Sequence, residues 1–231
     1  VPIAIAQTDT YESGNSTPAT HTKSITAGAG LSMIMVACHT AYNGGTVTNK
    51  VDTVTVNGVS ATEVTAARSA DSTARRTQLF FVLSPASGTY NVVATPTAAQ
   101  RLALTIHQLT GTHLSAPIRG GAATTGTSGA LTLDIASAVG DMVLDAILLT
   151  DTTYVLTVDG SQTQDSNFTL NAGVGGVVSG VCGTSHEAGA AGNVTMSWTR
   201  DSGTSAWAMS AVSLIPADSS ASPMFVLRRR Q

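Results

Sequence analysis

Aromatic residues make up only 4% of this 231-residue chain, and charged residues only 11%, against the roughly 25% usual in soluble domains. Lysine is confined to Lys23 and Lys50, and Arg68, Arg75, Arg76 and Arg101 are too scattered for a nucleic-acid track. No run reaches the roughly 18 consecutive apolar residues of a membrane-spanning helix. Val1-Pro2-Ile3-Ala4-Ile5-Ala6 is short, uncharged and without a basic flank, so it is not read as a secretory signal, and the compartment stays open. There is no Gly-x-Ser-x-Gly elbow and no Gly-Lys-Ser/Thr phosphate loop. The two cysteines, Cys38 and Cys182, sit in apolar runs and read as buried thiols, with a disulfide between them as the alternative.

The remaining reactive side chains do not assemble into a motif. His39 closes an apolar run, His107 lies in a strand pattern, and His113 falls in a turn. His186-Glu187 has no second histidine three or four residues away, so the histidines are expected to be solvated or singly hydrogen-bonded. Asp141 and Asp145 stand four apart on one strand face, about 13 Å along it, too far for a glycosidase pair. They are expected on a solvated outer face. Asp151, Asp159 and Asp165 lie near loops without Asp-x-Asp-x-Asp spacing, which argues against a calcium site. Three Asn-x-Ser/Thr sequons, at Asn15, Asn167 and Asn193, are expected by chance in so Thr-rich a chain. No catalytic residue, metal ligand or cofactor is expected.

What the chain does contain is alternation. In Val194-Thr195-Met196-Ser197-Trp198-Thr199 the period of two puts Val194, Met196 and Trp198 in a core and the hydroxyls toward water. Comparable runs predict about fourteen strands, near 20–26, 31–41, 52–57, 60–67, 75–84, 89–95, 101–110, 130–136, 141–149, 153–158, 168–172, 176–184, 193–200 and 205–215. Asn57-Gly58 predicts a hairpin over Val54 to Val64. Leu31 to Cys38 is almost continuously apolar and reads as a strand buried on both faces. The expectation is an all-β protein: a two-sheet antiparallel sandwich, jelly-roll-like, with extended terminal arms. Residues 1–19 form the N-terminal arm, 20–217 one sandwich domain, and 218–231 a polar linker with an apolar-basic tail.

That tail breaks the pattern. Met224-Phe225-Val226-Leu227 is followed by Arg228, Arg229 and Arg230. Residues 1–227 carry 8 basic and 14 acidic side chains, 8 − 14 = −6, whereas the terminus carries +3. A basic apolar tip on an acidic body suits docking on a neighbouring surface, so Met224 to Arg230 are the candidate partner-binding residues.

Four segments carry a family resemblance. They are Val54-Thr55-Val56-Asn57-Gly58-Val59-Ser60-Ala61-Thr62, Leu79 through Pro85-Ala86-Ser87-Gly88 to Val92, Ile106-His107-Gln108-Leu109-Thr110-Gly111, and Ala206-Trp207-Ala208-Met209 through Leu214-Ile215-Pro216. Together, over roughly 20–217, they resemble a β-sandwich module of tailed-bacteriophage virion proteins and related bacterial surface proteins. The resemblance implies a non-enzymatic structural protein displayed on a particle: a capsid decoration, cement or head-fibre type protein. Its implied partners are other virion proteins, major capsid or tail subunits, and copies of itself, with neither nucleic acid nor membrane. It would be assembled in the host cytoplasm and reside in the virion. The alternative is a receptor- or glycan-binding module of a phage tail or bacterial surface adhesin, extracellular, with Tyr42, Tyr154 and Trp198 lining a groove. A hydrolase ranks third.

Overall fold

The computed structural model describes residues 1–14, 16, 18–41, 50–69, 75–127, 129–150, 153–170, 180–201 and 203–218. Within them lie β1 (Ala4–Glu12), β2 (His21–Ala27), β3 (Met33–Ala41), β4 (Val51–Val56), β5 (Val59–Ser60), β6 (Thr62–Glu63), a 3-10 turn (Thr65–Ala67), β7 (Arg75–Leu83), β8 (Gly88–Pro96) and β9 (Arg101–Thr110). Then follow β10 (Ile118–Gly126), β11 (Leu131–Ser137), β12 (Met142–Thr150), β13 (Leu156–Val158), β14 (Thr163–Leu170), β15 (Gly180–Ala188), β16 (Gly192–Arg200) and β17 (Trp207–Leu214). The protein is all-β, and every strand pair is antiparallel.

The strands form four sheets stacked as layers. The first half of the chain makes an outer sheet, β2-β8-β4-β5, and an inner sheet, β1-β9-β3-β7-β6. Ile25, Val54, Tyr90 and Val92 from the outer sheet pack against Ile34, Val36, Phe80 and Ile106 from the inner one. The second half makes an inner sheet, β10-β17-β12-β15-β14, and an outer sheet, β11-β16-β13, closed around Leu133, Ile147, Met196, Trp198 and Met209. The two inner sheets then bury their remaining faces against each other through Met33, Met35, Leu79, Leu144, Val212 and Leu214. This explains the composition of the strands. β11 alternates buried and exposed positions because only one face is covered. Every residue of β3 and of β12 is buried, because an inner strand needs apolar side chains on both faces.

The two halves repeat one topology. Replacing β1, β9, β3, β7 and β6 by β10, β17, β12, β15 and β14 reproduces the inner-sheet order, and β2-β8-β4 becomes β11-β16-β13. The register repeats as well, Met33 facing Leu109 where Met142 faces Leu214. Even an irregularity recurs: β1 bulges between Ile5 and Gln7 opposite Leu109 and Gln108, and β10 bulges between Ile118 and Gly120 opposite Leu214 and Ser213. The corners before β3 and β12 turn on Gly30 and Gly140, at φ 78 and 93, a region that a Cβ would disfavour.

Several expectations change. The all-β antiparallel sandwich expected over 20–217 stands, and its strands divide among four sheets rather than two. Residues 4–12 of the expected arm are β1, which pairs along β9 and forms an edge strand of the inner sheet. The strands expected at 168–172 and 176–184 run Thr163–Leu170 and Gly180–Ala188. The expected hairpin is present, with Asn57 and Gly58 both at positive φ and Val56 facing Val59. Cys38 and Cys182 are both free and buried, Cys38 in the first core and Cys182 between the sandwiches, so the disulfide alternative is set aside.

Candidate functional site

The ionisable groups that the sequence placed at the surface are mostly inside. Asp145 is fully buried, facing the second core from β12, where Ser185 N and Oγ donate to Oδ1 at 2.9 and 2.7 Å and Trp198 Nε1 donates to Oδ2 at 2.7 Å. Burial drives its pKa up to about 7 against those three donors. Asp141 is also buried, one residue before β12. It accepts from Arg119 Nε at 2.5 Å, Arg119 Nη2 at 3.1 Å, Ser213 Oγ at 2.9 Å and the Ala138 N–H at 3.0 Å. Burial opposes its ionisation, but these donors outweigh it and hold the pKa below the usual carboxyl value. Neither aspartate is therefore the solvated outer-face carboxylate expected: each completes a local hydrogen-bond set that a buried carboxylate requires.

Of the histidines, His107 and His186 are each singly hydrogen-bonded as expected, whereas His39 is neither solvated nor hydrogen-bonded. His39 and His107 lie on strands of the first inner sheet and are fully buried against the second. His107 Nδ1 meets Thr8 Oγ1 at 3.1 Å, while its Nε2 has no partner. His39 stands edge-on to Phe168, with the Ile147 backbone facing it but no hydrogen bond closed at either ring nitrogen. Burial pushes their pKa values down to about 3 for His39 and about 4 for His107. His186 pairs with Asp165 at 2.8 Å, and Asp165 occupies the bulge of β14 between Gln164 and Ser166. Asp159 sits at a turn closed by Gln162, apart from that pair, and Asp151 lies outside the described residues. Among the described residues no three His, Cys, Asp or Glu side chains are grouped to hold a metal ion.

The solvent faces of the two outer sheets are largely hydroxylated. On the first outer sheet Thr22, Ser24, Thr26, Thr55, Thr89 and Asn91 point away from the core, in rows fixed by the pairing of Thr26 with Thr89 and Ser24 with Asn91. Asp52 lies at a bulge of β4 and is paired with Lys50 at 2.9 Å, leaving the rows themselves neutral. A shallow depression of about 530 Å³ crosses this sheet between Ser24, Thr55, Asn57, Thr89 and Asn91. The second outer sheet repeats the theme with Thr132, Thr195, Ser197, Thr157 and Thr199, and with Asp134 bound by Thr195 at 2.6 Å. Thr195, Ser197 and Thr199 face water as the alternation predicts, whereas the other residues were not singled out one by one in the sequence.

Of the aromatic groove candidates, Trp198 is buried beside Asp145, and Tyr154 is half-buried, packing on the second core. Tyr42 lies outside the described residues, as do Met224, Phe225, Val226, Leu227, Arg228, Arg229 and Arg230. Trp207 is in the core. Among the described residues no helix is long and apolar enough to cross a membrane. A scan against family models and searches of curated proteins and of solved structures return no match to this chain.

Proposed function

We propose that this protein is a non-enzymatic structural subunit of a tailed-phage virion, of the decoration, cement or head-fibre type, that docks on neighbouring subunits. The observation that carries the reading is the pair of outer sheets whose solvent faces are mostly hydroxyl and amide side chains, with Asp134 the charged member on the second. Such faces make many weak, uncharged contacts, which suits repeated packing against shell subunits. The buried carboxylates support the same reading, because Asp141 and Asp145 are each engaged by neighbouring donors and share no cavity in which they could act as an acid–base pair. The antiparallel sandwich layers and the four segments resembling phage and bacterial surface sandwiches add to it. In this reading Met224 to Arg230 contacts a neighbouring subunit. Imaging of intact particles with labelled protein tests the location, and a chain truncated after Pro216 tests the tail. Density on the head or tail and failed loading of the truncated chain are expected; absence from particles refutes the location.

A second reading, a glycan-binding module, draws on one observation. The depression on the first outer sheet offers Ser24, Thr55, Asn57, Thr89 and Asn91, neutral donors and acceptors of the kind that pair with sugar hydroxyls. A glycan array without hits counts against it.

A further inference from the structure

Two cavities meet at the corner before β12. One, about 350 Å³, lies between Pro2-Ile3 and Gly140-Asp141-Met142 and ends at His186, Glu187 and Ala188. The other, about 460 Å³, runs from Arg119 and Val139 past Gly140 to Ile215, Pro216 and Asp218. They share Pro2, Gly140 and Asp141 and so form one cleft. Its walls are largely apolar. Val139, at 81% exposure, is the most exposed of the large apolar side chains among the described residues, and it stands on the rim. The Asp141 carboxylate is already closed by Arg119 and Ser213, and Glu187 stands at the far end.

Asp218, where the described chain stops, is itself part of the cleft wall. The next residues are Ser219-Ser220-Ala221-Ser222-Pro223, a spacer reaching at most about 17 Å, followed by Met224 to Leu227 and then three arginines. We propose that in the isolated chain Met224 to Leu227 lies in this cleft, covering Val139, with Arg228 to Arg230 directed toward Glu187. Three features match along one line: the chain leaves at one end of an apolar cleft, four apolar residues follow within reach, and a basic run then meets a carboxylate. The inference concerns the free subunit and does not rest on the virion reading. Docking on a neighbour would draw the same segment out of its own cleft.

The test uses the full chain carrying V139C and F225C, compared with L114C and F225C. Leu114 is 54% exposed in the connection beside the same exit, held there by the bond from the His113 N–H to the Ile215 carbonyl, but it does not line the cleft. Cys38 and Cys182 are buried and stay out of the exchange. Oxidised glutathione converts the two engineered thiols to one disulfide and is reduced to two glutathione thiols. The V139C pair is expected to close within the chain about tenfold faster than the L114C pair, since seating raises the local concentration of residue 225 at residue 139 alone. Equal rates, or a link formed only between chains, overturn the proposal. As a second measurement without engineered thiols, Phe225→Asp is expected to shift the Val139 methyl resonances; unchanged resonances overturn it as well.

Discussion

Trp198 Nε1 donates to Asp145 Oδ2 at 2.7 Å across the core of the second sandwich, joining the outer sheet to the inner one through a polar contact in an apolar layer. The carboxyl is fully buried, so its protonation is tied to folding.

The folded pKa of Asp145, about 7, lies above its unfolded value near 3.8, so the native state holds the proton more tightly. This contribution to stability is fully present below the unfolded value and is lost as pH rises toward 7, by an amount on the order of 4 kcal/mol. In Asp145→Asn that slope should vanish. The variant should also lose about 1–3 kcal/mol at pH 5, because one amide face meets the Trp198 donor. Urea unfolding at several pH values checks both.

His39 gives the opposite sign. Its folded pKa, about 3, is below the unfolded 6.5, so stability is complete above about pH 6.5 and falls as pH drops toward 3. Leu148 occupies the matching place in the second half, since Met33 corresponds to Met142. His39→Leu is therefore expected to raise stability at pH 5 by about 2 kcal/mol and to flatten the acid limb. Thermal unfolding of the two chains at pH 5 and pH 8 measures it; an unchanged difference at the two pH values refutes it.

Gly183 faces the Trp198 ring so closely that an added Cβ would lie 2.6 Å from it. Gly183→Ala should force the indole aside and cost about 1–3 kcal/mol. Loss of the native near-ultraviolet tryptophan signal at a lowered melting temperature is the expected record.

Thr55 and Asn91 flank the depression on the first outer sheet and support no core contact. Thr55→Lys with Asn91→Lys should change stability by less than about 0.5 kcal/mol. If the hydroxyl face is a docking face, the same double variant should fail to load onto particles while a matching pair on the second outer sheet keeps its own effect. Normal loading would remove that face from the contact.

Much of this architecture was legible in the residues. Val194, Met196 and Trp198 point inward as their spacing predicts, and the unbroken apolar run before Cys38 marks a strand covered on both faces. β10 was missed because Ile118 to Gly126 is mostly Gly, Ala and Thr, with little apolar alternation; its place is set by pairing with β17. The duplication was hidden for a related reason. Equivalent positions such as His39 and Leu148, or His107 and Val212, keep their burial while changing chemistry, so only register reveals them. Asp145 and Asp141 carry no local sign of burial, since their donors come from Ser185, Trp198, Arg119 and Ser213, all distant in sequence. The Asp165–His186 pair depends on a bulge that alternation does not mark.

The four-layer stack sets the two hydroxylated faces on opposite sides of the molecule, roughly 30 Å apart at about 10 Å per layer spacing. A contact made through one therefore leaves the other open, and because the two halves differ in sequence, the two sides need not select the same neighbour. If those faces are docking faces, one polypeptide would act as a two-sided spacer, bridging unlike surfaces without first pairing with a second copy of itself.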